Sequence, residues 1–374
     1  YPLIDGVVNG CPSHLLEPER LQKIQYSEDF SQGYWNKSLI SVTPNNSVSP
    51  NGLQTADKIV SGNSTGSHFF RRTGLTYSAT NNTFSVFAKF TDDLFKEFHF
   101  VIYDGSNHFA YFDVKDGVVS SADSGITASM VNYGNGWYRC IVTYQTLSTS
   151  VGQIKVELGD STSITGDGSS GMFFWGMQWE VSNYATSYIP NYGTSAGITR
   201  SAETANGAGD ASTFNDSEGV LYAEISALTD DGLKRSISIN DGSSANRFIL
   251  RFGVNDNTIE FVSSSNNSAV LLSSVAVAGG LSSIKVAAKW DSNNYVFYVN
   301  GIIETTKNDL ITPLVLNNLD FNDGNNNFNP FYGKTKELGC YDTALTNAEL
   351  ETLTSYRTWL SMVNELNLNV IYNG

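Results

Sequence analysis

The chain has 374 residues, enough for two ordinary domains, and its 40% hydrophobic and 12% aromatic content excludes general disorder. A net charge of −15 excludes the Lys/Arg footprint that nucleic acid requires. No run approaches the roughly 18 apolar residues of a membrane-spanning helix, so neither nucleic acid nor membrane insertion is expected.

Only 16% of the residues are charged, and polarity comes instead from Ser, Thr, Asn and Gly, the residues of turns and uncharged hydrogen bonding. Cys11, Cys140 and Cys340 are odd in number and widely spaced; they match neither a disulfide framework nor a zinc site and read as free thiols. The chain opens at Tyr1-Pro2-Leu3 without the charged and apolar regions of a signal peptide, more like a cut than a natural start.

Residues 1–25 have two prolines within Cys11–Arg20 and little periodicity, which predicts an extended N-terminal arm packing on a neighbour. From 26 to 199 the pattern is one of successive strands. Phe84, Val86, Ala88 and Phe90 share one face of a strand, with Phe87 on the other. Phe98–Tyr103 and Phe109–Val114 flank Asp104-Gly105 as a hairpin. Gly136–Tyr144 and Met172–Glu180 are further strands. A Ser/Ala/Gly/Asn stretch over 200–216 reads as a linker.

A second run of strands follows over 217–358: Gly219–Ile225, Arg247–Phe252, Thr258–Val262, Ser283–Trp290 and Tyr295–Val299. Asn300-Gly301 predicts a type I′ hairpin turn. Thr346 and Glu349 form a capping box, with Leu345 and Leu350 as its staple, so a helix starts at Asn347. The stripe Leu350, Leu353, Tyr356, Leu360, Val363, Leu366 carries it toward a tail at 359–374. Strands joined by short turns, with one terminal helix, predict an all-β chain of two tandem antiparallel β-sandwiches.

Two resemblances sharpen this reading. The strand-and-turn phrase Tyr295–Thr305, the phrase Ala344–Glu349 and the short helix resemble the laminin-G-like, concanavalin-like jelly roll over residues 217–358. Cys11–Arg20, Gly134–Cys140 (GNGWYRC), Trp175–Glu180 (WGMQWE) and Ala185–Pro190 (ATSYIP) resemble carbohydrate-binding-module-like jelly rolls of phage tail and virion proteins. The resemblance implies a non-catalytic structural protein of a phage particle, a head-fibre or tail-fibre component. Its partners would be glycans and other virion proteins. Homo-oligomerisation is implied too, a trimer being the common fibre solution, although nothing in the sequence counts subunits.

Glycan binding needs aromatic faces with neutral donors around them. Tyr133 and Trp179 are the candidates of the first sandwich, and Tyr295, Phe328 and Tyr332 those of the second. Asp320, Asn322, Asp323 and Asn325 are dense in oxygen ligands and make a structural calcium the one cofactor to consider, none being required. The spacing is not that of an EF-hand, because Phe331 occupies the twelfth position.

Catalysis has little support. No strand carries two inward acids two apart, as jelly-roll glycanases do, and the adjacent pairs Glu28-Asp29, Asp92-Asp93 and Asp230-Asp231 read as turns. His99 and His108 are placed to face each other across the hairpin, but without a metal or nucleophile motif. A polysaccharide-degrading enzyme, a glycanase or a Tyr/His- or Tyr/Lys-type lyase, or the binding portion of one, is the alternative, and a purely architectural virion protein is the third reading.

Overall fold

The computed structural model describes residues 12–277, 282–291, 294–308, 313, 315–324 and 328–356, together with the backbone of Leu3–Ile4 and Val7–Val8. Two compact units result: Tyr1–Gly10 with Glu19–Ser201, and Cys11–Pro18 with Ala202–Gly374. Each is a jelly-roll-like sandwich of two antiparallel sheets.

In unit 1 the front sheet runs Ile126–Gly134, Trp137–Gln145, Asn81–Lys89, Gly171–Glu180, Ala56–Ser61, Ile40–Ser47. The back sheet runs Val118–Ala122, Asn107–Asp113, Glu97–Tyr103, Ser150–Leu158, Phe69–Tyr77, Asn36–Ser38. Period-two alternation builds the core between them. Phe84, Val86 and Ala88 point inward among Phe98, Phe100, Phe112 and Phe174. Phe87 points the other way and joins Ala56, Trp137 and Trp175 in a small second cluster. Tyr103 pairs with Asn107, so the hairpin loop is Asp104-Gly105-Ser106. That register sets His99 opposite Tyr111, with rings 4.7 Å apart, and His108 opposite Ile102. The two histidines expected to face each other therefore do not meet, because they lie on different rungs of the ladder.

Unit 2 has a front sheet ordered Ile302–Lys307, Asn294–Val299, Ile284–Asp291, Glu218–Ala227, Gly333–Tyr341, His14–Leu16. Its back sheet is Ser268–Ala276, Thr258–Ser265, Arg247–Phe252, Arg235–Asn240, Asn318–Asp320. Val299 pairs with Ile302 across a two-residue turn, and Asn300 and Gly301 take φ of 49° and 83°, as a type I′ turn demands. The helix Asn347–Thr354 carries its reciprocal capping box, and Leu350 is buried against Val220, Tyr222 and Tyr298. Ser355 turns extended and ends the helix there. Leu360, Val363 and Leu366 lie outside the described residues.

Two stretches differ from their expected roles. The arm is divided: His14–Leu16 pairs with Gly333–Thr335 as an edge strand of unit 2, and Arg20–Gln22 pairs with Ile198–Arg200 in unit 1. Open edges of a sheet present unpaired N–H and C=O groups, which is why a proline-poor tripeptide is captured there. The 200–216 stretch is built into unit 2 rather than strung between domains. Ala208 and Leu319 exchange both backbone hydrogen bonds, Phe214 is buried in the core, and the Asp216 carboxylate accepts the N–H groups of Val315 and Leu316. Its short polar side chains, read as flexible, are instead the acceptors that hold it.

Candidate functional site

Ile237 and Ile239, Phe248, Leu250 and Phe252, and Ile259 and Phe261 face the core of unit 2. Alternation therefore turns Ser236, Ser238 and Asn240, Arg247 and Arg251, and Glu260 and Ser264 to the opposite face of the back sheet. Cross-strand register lines them up as Ser236, Arg251, Glu260 in one row and Asn240, Arg247, Ser264 in another. Arg251 Nε donates to Glu260 Oε2 at 2.7 Å.

Ser236, Ser238 and Asn240 are fully buried although they face away from the core, because the segment after Asp320 lies against them. The Ser236 N–H donates to Asn329 O at 3.1 Å, and Asn240 Nδ2 donates to Asp320 Oδ2 at 2.8 Å. Arg247 Nη1 donates to the Asp323 carbonyl and lies 3.5 Å from its Oδ1, while Asn329 Nδ2 donates to Oδ2 at 3.1 Å. Burial pushes the Arg247 guanidinium down from its usual range; Asp323 opposes this and Arg251 adds to it. Gly324 is required here: at φ +77° a side chain is strained, and its Cβ would meet the Asn240 amide at 2.8 Å. The same segment carries Phe328, 63% exposed. Buried hydroxyls and amides thus hold the segment on the sheet, and it presents one open aromatic ring on a face that also carries the Arg251–Glu260 pair.

Asp320, Asn322 and Asp323 are brought together on this segment, but as hydrogen-bond acceptors already in use. Asp320 Oδ1 accepts the Gly207 N–H at 2.6 Å, and Asn322 Oδ1 accepts the Gly324 N–H at 2.6 Å. The cation beside Asp323 is the Arg247 guanidinium. These protein contacts engage oxygens that calcium, which takes six to eight, would need as ligands. Asn325 lies outside the described residues, among which no group of three or more His, Cys, Asp or Glu is placed to hold a metal.

The aromatic candidates separate by burial. Tyr332 is half-buried, and Tyr295, 2% exposed, belongs to the core beside Phe248 and Phe261. In unit 1, Tyr133 is half-buried and meets Phe87 edge-on at 4.9 Å. Trp179 is 3% exposed, stacks on Phe84 at 5.6 Å and donates Nε1–H to Asn82 Oδ1 at 3.2 Å. Tyr295 and Trp179 fall on inward strand positions, where large rings fill a sandwich. Sequence reasoning missed Arg247, Arg251 and Glu260. Their signal was present: each sits at the parity opposite to the strand's aromatic residues.

A second polar cluster lies in unit 1. Tyr144 Oη is 2.9 Å from His108 Nε2 and donates to Asp104 Oδ2 at 3.0 Å, and His108 Nε2 is 3.2 Å from Asp104 Oδ1. Burial, and then the Asp104 carboxylate, push the Tyr144 phenol up to about 12.

Both units are two-sheet jelly rolls of the kind used by lectins, enzymes and adhesion modules alike. Residues 210–351, essentially unit 2 without its added edge strand, match the Concanavalin A-like lectin/glucanases superfamily. No curated protein matches the chain. Among solved structures, the CBM40 of the Ruminococcus gnavus IT-sialidase is 18% identical over 41% of this chain and 97% of its own, with a TM-score of 0.33. The NanB sialidase of Streptococcus pneumoniae is 13% identical over 40% of this chain and 28% of its own, with a TM-score of 0.32. A SAP-like pentraxin of Limulus polyphemus is 17% identical over 37% of this chain and 70% of its own, with a TM-score of 0.29.

Proposed function

We propose that the chain is a non-catalytic carbohydrate-binding protein whose polar back-sheet face in unit 2 is a glycan contact surface. The observation that carries this reading is the exposed ring of Phe328, on the segment that covers the polar back-sheet face where Arg247 and Arg251 are half-buried. Hydroxyl-rich ligands are recognised by such fixed donors and acceptors together with an open aromatic face. The superfamily match over the same residues supports it. With two modules in one chain and further copies in an oligomer, weak individual sites would act through avidity.

The finer setting, a head-fibre or tail-fibre component of an extracellular phage particle, rests on the four phrases between Cys11 and Pro190. Mass spectrometry of purified particles tests it directly. A glycan array probed with the wild type and Phe328→Ala, with reducing-end release followed in parallel, tests the binding reading. Binding that weakens in the variant, without cleavage, is expected. Silence from the wild type would leave the architectural alternative.

A second reading, a lyase, is favoured by one observation, the Tyr144–His108–Asp104 cluster. Against it, a phenol pushed up to about 12 stays protonated at neutral pH and is not available as a base. Formation of unsaturated uronate products by the wild type and not by His108→Ala would establish it.

A further inference from the structure

Unit 1 holds a pocket of about 290 Å³ remote in sequence from every residue of the unit 2 surface, lined by Lys23, Gln25, Tyr34, Arg72, Trp179 and residues 195–197, among others. Two cations line it and no carboxylate does. The chain as a whole carries a net charge of −15, so a pocket lined by cations alone runs against its overall balance.

Each cation lies over an aromatic face. Lys23 Nζ is 4.6 Å from the centroid of the Trp179 ring, and the Arg72 guanidinium carbon is 4.3 Å from that of Tyr34. Among the described residues, neither has a carboxylate partner. Burial alone acts on Lys23, pushing its ammonium down from the usual range with no neighbouring acid to oppose it. Arg72 spends one hydrogen bond on the Tyr34 carbonyl at 3.4 Å, while its buried Nε has no partner among the described residues. Partly desolvated charges held without a counter-charge are costly, and the cost is recovered when an anion enters.

The pocket is also rigidly built. Gln22, fully buried, donates to Met177 O at 2.8 Å and accepts the N–H groups of Trp179 and Ile24, both at 3.0 Å. The Lys23 N–H donates to Trp179 O at 3.2 Å. These four bonds clamp the Lys23 backbone to the strand that carries Trp179, so the ammonium is presented over the ring before any ligand arrives.

We propose that this pocket binds an anionic group, and that the ligand bringing it is the carboxylate or sulfate of an acidic saccharide. The saccharide part rests on the carbohydrate-binding reading above; the anion part does not. The test is calorimetric titration of the whole chain with inorganic sulfate, a uronate oligosaccharide, a sulfated oligosaccharide and a neutral oligosaccharide. Wild type is compared with Lys23→Met, which keeps an apolar stem over Trp179, and with Arg72→Gln. The expected result is preference for the acidic ligands, a loss of tenfold or more in their affinity in either variant, weakening at high salt, and neutral-ligand binding unchanged. Melting temperatures equal to wild type would show that the variants are folded; should Lys23→Met melt early, Arg72→Gln carries the test. Equal affinity for acidic and neutral oligosaccharides, unaltered by both substitutions, would overturn the pocket and leave the carbohydrate reading standing. Sulfate binding that disappears in Lys23→Met, with every saccharide silent, would overturn the saccharide assignment and keep the pocket as a site for a free anion.

Discussion

Phe328 and Trp179 show how much one residue's environment decides. Both are aromatic and both were candidates for stacking on a sugar, yet one ring is open to water and the other is sealed against Phe84. Truncating Phe328 removes no core packing, so Phe328→Ala should leave the melting temperature unchanged while weakening glycan binding by about 0.5–1.5 kcal/mol, the worth of an aromatic contact. An unchanged affinity on the same array would remove Phe328 from the site. Glu157 makes the opposite case, a charge serving stability. It is fully buried; burial pushes its carboxyl up, but His99 at 3.3 Å, Lys155 and Ser67 outweigh this and hold it at about 2. A carboxylate whose folded value lies below its unfolded one stabilises the fold above about pH 4.5 and loses that contribution as pH falls toward about 2. The shift corresponds to about 3 kcal/mol at most. Unfolding of Glu157→Gln against wild type should therefore show a stability gap at pH 7 that narrows toward pH 2; a gap independent of pH would refute the assignment.

Among the elements, the helix was the most legible. Thr346 and Glu349 exchange the predicted bonds, and the structure ends the helix at Thr354, two residues short of Tyr356. Thr346→Ala should cost about 1 kcal/mol, the usual worth of an N-cap, and should appear as faster amide exchange in 347–350. Equal exchange in both proteins would mean that packing of Leu350 alone holds the helix. Strands with alternating large apolar residues were equally readable, because a sandwich must bury one face of each. Strands such as Arg235–Asn240 and Ser268–Ala276 were not. Their serines and asparagines carry the same polarity as turns, and only pairing with the Arg247–Phe252 and Thr258–Ser265 strands identifies them as sheet. The back-sheet site was hidden for the same reason: Arg251 and Glu260 look like ordinary surface charges until register puts them opposite each other.

For the whole molecule, the consequential finding is that the first residues are shared between the units, with Cys11–Pro18 belonging to the second. Leu16 is buried where it pairs with Gly333, so Leu16→Ala should destabilise unit 2 by about 2–3 kcal/mol. Calorimetry should show a transition lowered in the variant, and removal of residues 1–18 should lower it at least as far; an unaltered scan would mean the edge strand is dispensable. No local pattern in His14-Leu15-Leu16 announces this pairing, since a three-residue strand takes its identity from the edge it meets. What the sequence determined alone were the quantities set by composition and by short-range periodicity: the all-β class, two sandwiches, the type I′ turn and the capped helix. What only the tertiary structure decided were the pairings of residues far apart in the chain. Those set the Tyr144–His108–Asp104 cluster, the occupied carboxylates at Asp320 and Asp323, and the pocket that joins Lys23 to Arg72 and Trp179. Local propensity acts over a few residues, whereas a site is assembled by contacts that the fold must first bring together.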